Sequence, residues 1–255
     1  MTTQEHLLLI EETLDAVLPP AESRPCVLHA AMRHAVGTGG KRIRPLICLA
    51  AAEAVGGRAQ DAKFAAAAIE LIHNYTLVHD DLPAMDNDTE RRGQPTVWAK
   101  YGEANAILAG DALLALAFRV AAQSPRHVAE IVAEFGEKGV GVVQGQVEDI
   151  AATGETDFIY EHKTADLFVA AAVAGGLAGG GSAEDVAALR AFALNLGLAF
   201  QYEDDILDGD SPYTPTETAA RARAATDAAK AALARLPGDT SPLAALAERL
   251  VGRSR

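Results

Sequence analysis

Apolar residues recur along this chain at intervals of three and four. Strand-type alternation is nowhere long enough to count. Phe64, Ala68, Leu71, Ile72 and Tyr75 form one such stripe. The same period predicts helices over residues 3–18, 24–37, 42–55, 60–81, 103–122, 126–150, 157–178, 183–208, 214–236 and 240–252. Helix breakers fall between them: Pro19 and Pro20, glycines within 37–40, Gly56 and Gly57, Pro83, Pro95, Gly154, the glycine run 179–181 and Pro212. No break is long enough to be a linker, and no repeat of fixed period appears. The expectation is an all-α, single-domain bundle of about ten or more helices covering residues 1–255.

Composition agrees with helix. Apolar residues make up 49% of 255, alanine dominates, and aromatics are 5%. The net charge of −13 argues against nucleic acid and anionic membrane surfaces as partners. It leaves room for a polyanion held through metal ions. Cys26 and Cys48 lack C-x-x-C spacing and read as reduced core thiols. The first residues are acidic and helical in period, unlike the basic start of a signal peptide. No stretch reads as a strongly apolar run long enough to span a membrane. A cytoplasmic location is the expectation.

Charge is concentrated in two places. HDDLPAMDND carries Asp80, Asp81, Asp86 and Asp88, and FQYEDDILDGD carries Glu203, Asp204, Asp205, Asp208 and Asp210. Each follows an apolar helical run. At roughly 100° per residue, Asp204 and Asp208 lie about 40° apart and Gln201 about 20° from Asp208. His73 and Asp80, seven apart, also share a face. Like charges at helical spacing repel, and carboxylates oppose the dipole at a helix C-terminus. One acidic run is commonly a solvated loop. Two of this form point instead to oxygen ligands for Mg²⁺, which takes one or two carboxylates plus substrate phosphates.

A diphosphate site also needs fixed cations. GGKRIRP supplies Lys41, Arg42 and Arg44, with glycines that allow close backbone approach. ERRGQPT supplies Arg91 and Arg92, and HKTADLF places Lys163 and Thr164 in an apolar helix. Each alone has a plain alternative: charge neutralisation, a lysine reaching solvent, or, for His73, a satisfied core histidine.

Taken in order, GGKRIRP, IELIHNYTLVHDDLPAMDND, RRGQPT, YGEANAILAGDALLALAF, GQVED, HKT and FQYEDDILD resemble the trans-isoprenyl diphosphate synthases, or polyprenyl synthetases. The similarity covers about residues 25–210 and is looser beyond. The resemblance implies a helical bundle around a deep central cavity, usually a homodimer. It implies about three Mg²⁺ ions per site, with Mn²⁺ able to substitute, bound by Asp80, Asp81 and Asp86 and by Asp204, Asp205 and Asp208. It places isopentenyl diphosphate on Lys41, Arg44, His73 and Arg92. It places the allylic diphosphate on Arg91, Lys163, Thr164 and Gln201, the residues assigned to catalysis. Gly145, Gln146 and Asp149 match a motif whose role reads as supporting packing.

The implied reaction is head-to-tail condensation of isopentenyl diphosphate with dimethylallyl or geranyl diphosphate. The family's chain-length rule turns on Tyr75, five positions before Asp80, and implies a C15 product, farnesyl diphosphate, with C10 and C20 open. Helical geometry instead puts Thr76 nearest below Asp80. A terpene cyclase would not need Lys41, Arg44, His73 and Arg92. The chain departs from the family after DDILD, where some twenty residues and two lysines expected of the family are missing and DGD runs into SPYTPTETA. That leaves open a weakened or inactive homologue acting as a subunit or prenyl-diphosphate binder.

Overall fold

The computed structural model describes residues 1–209 and 211–251; Asp210 and the last position of the final expected helix lie outside them. The helices are α1 (Thr3–Val17), α2 (Cys26–Gly37), α3 (Ile43–Ala54), α4 (Lys63–Asp80), α5 (Val97–Tyr101), α6 (Glu103–Ala121), α7 (Val128–Ile150), α8 (Thr156–Ile159), α9 (Asp166–Gly179), α10 (Ala183–Asp208), α11 (Pro215–Leu233) and α12 (Ser241–Val251). A π-helical turn, Tyr160–Ala165, joins α8 to α9. The all-α expectation holds.

Local chemistry explains the ends. Thr2 and Glu5 cap α1 reciprocally, as Ser182 and Asp185 cap α10. Thr214 caps α11, with Pro215 at its first position. Two elements escaped the periodicity because they are short: α5, and a hairpin of β1 (Glu90–Arg91) with β2 (Gln94–Pro95). Arg92 and Gly93 turn the hairpin at φ 56° and 74°, the doubly left-handed pattern of a tight β-turn.

The core centres on α9. Every residue of that helix except Leu177 is buried, as expected of a helix apolar all round. It packs against α3, α7 and α10. Small residues permit the closeness. A Cβ on Gly175 would land on the Cys48 carbonyl oxygen of α3, and one on Gly179 would press on Ala52. Cys48 is therefore a core thiol, whereas Cys26, at the start of α2, is exposed, against expectation.

Two further sequence readings change. Arg42 is not a free cation: its guanidinium is committed to protein partners. It is buried, sits at φ 48°, and bonds Glu11, Glu70 and the Val36 carbonyl, tying α1 and α4 to the start of α3. And one helix does have the length and apolarity to cross a membrane: α6, 19 residues with mean hydropathy 1.5. Its alanines and leucines, sparsely interrupted by charge, give it that character. Here it packs against α2 and α4.

The tight α3–α9 seam yields a prediction. Gly175→Ala should cost about 1–3 kcal/mol by overpacking, read from urea unfolding. An unchanged midpoint would mean the two helices can separate freely.

Candidate active site

Helix α4 delivers the first acidic cluster. It ends at Asp80, and the loop before and after Pro83 folds back so that the Asp86 N–H donates to the Asp80 carbonyl (2.8 Å). The two aspartates of the adjacent pair part company. Asp81 is buried and accepts from Arg91 Nε (2.8 Å) and Nη2 (2.6 Å). Asp80 lines a cavity of about 690 Å³. Burial, and then the neighbouring Asp86 charge, push its carboxyl up to about 6, against the pull of Lys163 and Arg91.

The cavity is walled mainly by α4, the loop that follows it and α7. Thr76, Leu77, Val143, Val147, Leu167 and Phe200 are among its apolar and small-residue walls. Tyr75 and Thr76 both line it, so the geometric choice and the family position for chain length face the same space. The Tyr75 ring packs edge-on against His79, 5.9 Å between centroids.

Opposite, the π-helical turn and α10 present Lys163, Thr164 and Gln201 to the cavity. Thr164 Oγ1 donates to Gln201 Oε1 (2.8 Å), and Gln201 Nε2 donates to Asp205 Oδ1 (3.0 Å). Asp205 is buried and also accepts from the Tyr160 hydroxyl (2.5 Å). Of the second acidic cluster, Asp205 is turned to protein donors, Asp204 is partly buried and Asp208 is exposed. Lys163 Nζ donates to Asp149 Oδ2 (2.5 Å). That contact gives GQVED its part. A Cβ on Gly145 would strike the backbone of Lys163, so this glycine lets α7 lie against the turn while Asp149 tethers the lysine. Ala165 packs in the same way on Gly197 of α10.

A second cavity of about 500 Å³ adjoins the first, with Arg44, His73 and Phe200 on both walls. It gathers Lys41, Arg44, His73 and Arg92, from three places in the sequence. Arg44 Nη1 lies 3.2 Å from His73 Nε2, and its guanidinium sits 5.0 Å over the Phe168 ring. Arg44 Nε is buried without a partner among the described residues. Burial pushes Arg44 down to about 10 and, with the nearby cations, holds His73 well below its ordinary value. His73 is thus a neutral acceptor beside Arg44. The hairpin turn sends Arg91 to Asp81 and Arg92 to the Gly39 carbonyl and this second cavity.

The donor set suits hard cations completed by a ligand. Among the described residues no three His, Cys, Asp or Glu side chains converge to cage an ion. Asp80, with Asp86 beside it, is a desolvated carboxylate lining the cavity whose charge Lys163 and Arg91 offset only in part. Mg²⁺ accepts such partial sites because phosphate oxygens and water fill the rest of its shell.

Residues that the sequence reading missed include Phe200, shared by both cavities, His79, which contacts the Ile107 carbonyl at 3.0 Å, and Tyr160. Phe200 closes an apolar run, and His79 and Tyr160 border charged residues; in neither setting does the sequence tell a wall from a supporting contact.

Asp80 gives a test with a defined sign. A carboxyl raised from about 4 to about 6 binds its proton more tightly folded than unfolded, so the ligand-free protein loses stability as pH rises through that window. Asp80→Asn should flatten that pH dependence and raise the melting temperature near neutral pH. A melting curve as pH-dependent as that of the native chain would remove Asp80 as the strained group.

Residues 25–228 match the polyprenyl synthetase family. The chain is 45% identical over 218 residues to a chloroplastic geranylgeranyl pyrophosphate synthase of Capsicum annuum, a match that takes in 80% of this chain and 58% of that protein. It thus spans less than two thirds of the length of that curated relative. Among solved structures, an FPP/GFPP synthase from Zymomonas mobilis superposes with a TM-score of 0.89 at 32% identity, covering 97% of this chain and 98% of the other. A geranylgeranyl pyrophosphate synthetase from Pyrococcus horikoshii gives 0.88 at 30%, covering 98% and 97%. With the fold and the paired acidic motifs in place, the chain belongs to the polyprenyl synthetase family.

Proposed function

We propose that this protein is a trans-prenyltransferase that joins isopentenyl diphosphate to an allylic diphosphate and releases diphosphate. The observation that carries the reading is the pair of adjoining cavities: one cationic around Arg44 and His73, the other apolar below Asp80, with shared walls. Isopentenyl diphosphate places its diphosphate on Lys41, Arg44, His73 and Arg92, and its double bond reaches the first cavity. The allylic tail lies in the apolar cavity with its diphosphate at the acidic mouth. Asp80 and Asp86, and Asp204 and Asp208, would hold Mg²⁺, which when bound neutralises the leaving diphosphate. Asp81 and Asp205, turned to Arg91 and to Tyr160, brace those sites.

The allylic C1–O bond breaks and its electron pair leaves with the diphosphate. The isopentenyl double bond attacks C1, and a proton is lost to re-form an alkene, with the released diphosphate as acceptor. Lys163 and Arg91 offset the departing charge. Oxygen lone pairs of Thr164 and Gln201 face the electron-poor carbon, and the apolar walls exclude water.

For product length we favour C20 over the C15 expected from Tyr75. Relatives named as geranylgeranyl synthases support it. The cavity supports it too, because Tyr75 is only one of its lining residues and part of its wall is open to solvent. Ile107, Val143, Val147 and Ile150 line the cavity yet are each about half exposed. These residues also form an apolar face on α6 and α7, and a second copy of the chain seated there is the homodimer we propose.

One observation favours a binder or subunit without turnover. Only six residues separate α10 from α11, and the sequence has no lysine between Lys163 and Lys230. A product assay separates the readings. Protein, Mg²⁺ and isopentenyl diphosphate with dimethylallyl or geranyl diphosphate should give a C20 product by mass. A C15 end point would restore Tyr75 as the floor, and no product from folded protein with either primer would favour the binder.

A further inference from the structure

The side chains of Tyr160, Asp205, Gln201 and Thr164 form one continuous hydrogen-bonded chain between the π-helical turn and α10. Tyr160 and Thr164 stand four apart on the turn, and Gln201 and Asp205 four apart on the helix. Two rungs therefore join the same two elements. The order of donors along the chain has a consequence. The Asp205 oxygens accept on both sides, from the Tyr160 hydroxyl and from the Gln201 NH₂. That arrangement turns Gln201 Oε1 toward Thr164, whose hydroxyl donates to it. The Thr164 lone pairs are then left over on the cavity side. With the amide reversed, which its near-symmetric shape permits, N–H groups would face the same space.

Asp205 can impose this order only while it is held. It is buried, and the Tyr160 hydroxyl at 2.5 Å is its second described donor. The Tyr160 ring is fixed in a small apolar cluster with Tyr202 and Ala222, 5.6 Å from the Tyr202 ring. The hydroxyl has no route of its own to the cavity, since Tyr160 is not among the residues that line it.

We propose that Tyr160 is a positioning residue: its hydroxyl locks Asp205, and through Gln201 it orients oxygen lone pairs of Thr164 and Gln201 toward a positively charged prenyl carbon. This rests on the prenyl-transfer reading above. It predicts that the native cavity discriminates by charge as well as by shape. A prenyl ammonium compound should bind more tightly than its neutral isostere of equal size, in the presence of inorganic diphosphate and Mg²⁺.

The test is calorimetric titration of the whole protein with that pair of compounds. Tyr160→Phe keeps the ring and removes only the hydroxyl. It should reduce the preference for the ammonium compound by roughly tenfold, the scale of one hydrogen bond to a charged group, and leave the neutral isostere unchanged. Its kcat should fall while KM for isopentenyl diphosphate holds. Asp205→Asn, which can offer an N–H to Gln201, should lose the preference as well, and the double variant should lose no more than either single one. A Tyr160→Phe protein that keeps its preference within about twofold of a discriminating native protein, or losses that add in the double variant, would overturn the proposal. A native protein with no preference for the ammonium compound would bring down the prenyl-transfer reading and this inference with it.

Discussion

Two helices, α4 and α10, end in carboxylates against the direction of their own dipoles, with Asp80 lining the cavity and Asp205 joined to it through Gln201. That constraint governs the arrangement around it. The protein relieves it for one aspartate of each adjacent pair: Asp81 receives Arg91 from the hairpin, and Asp205 receives Tyr160 and Gln201. It leaves Asp80 desolvated, with its proton affinity raised. The residual charge is what makes the mouth a place for cations and for the polyanions they carry.

The cationic side follows the same economy. Arg42 is consumed by the scaffold, bonded to Glu11 and Glu70. Arg44, two residues on, keeps a buried nitrogen without a partner among the described residues, and a neutral histidine beside it. Adjacent arginines thus serve opposite purposes, one closing the bundle and one open to a ligand. The same division separates Arg91 from Arg92, and there the tight hairpin turn is the cause.

Much of this was legible in the sequence. Helix periodicity set most helix bounds to within a few residues, because a bundle core repeats its apolar positions with the helix itself. The acidic and basic runs that meet at the cavities were visible as clusters. What was hidden is how neighbours divide. Nothing in DD says which carboxylate turns inward, and nothing in KRIR says which arginine is scaffold, since those choices depend on Glu70 and on a backbone residue at positive φ. Cys26 read as core because an isolated cysteine without C-x-x-C spacing reads as a reduced core thiol; its place at a helix start exposes it. The α6 span was overlooked because alanine carries apolarity without bulk.

The π-helical turn bears on how much change the chain around it can tolerate. It holds Tyr160, Lys163 and Thr164 in one short unit, fixed to α10 at both ends and to α7 at Gly145 and Asp149. Because the unit is anchored from the side, the chain entering it from residues 151–159 can lengthen or shorten without rotating those three side chains. Evolution can therefore trim the approach to this segment while the working turn keeps its phase.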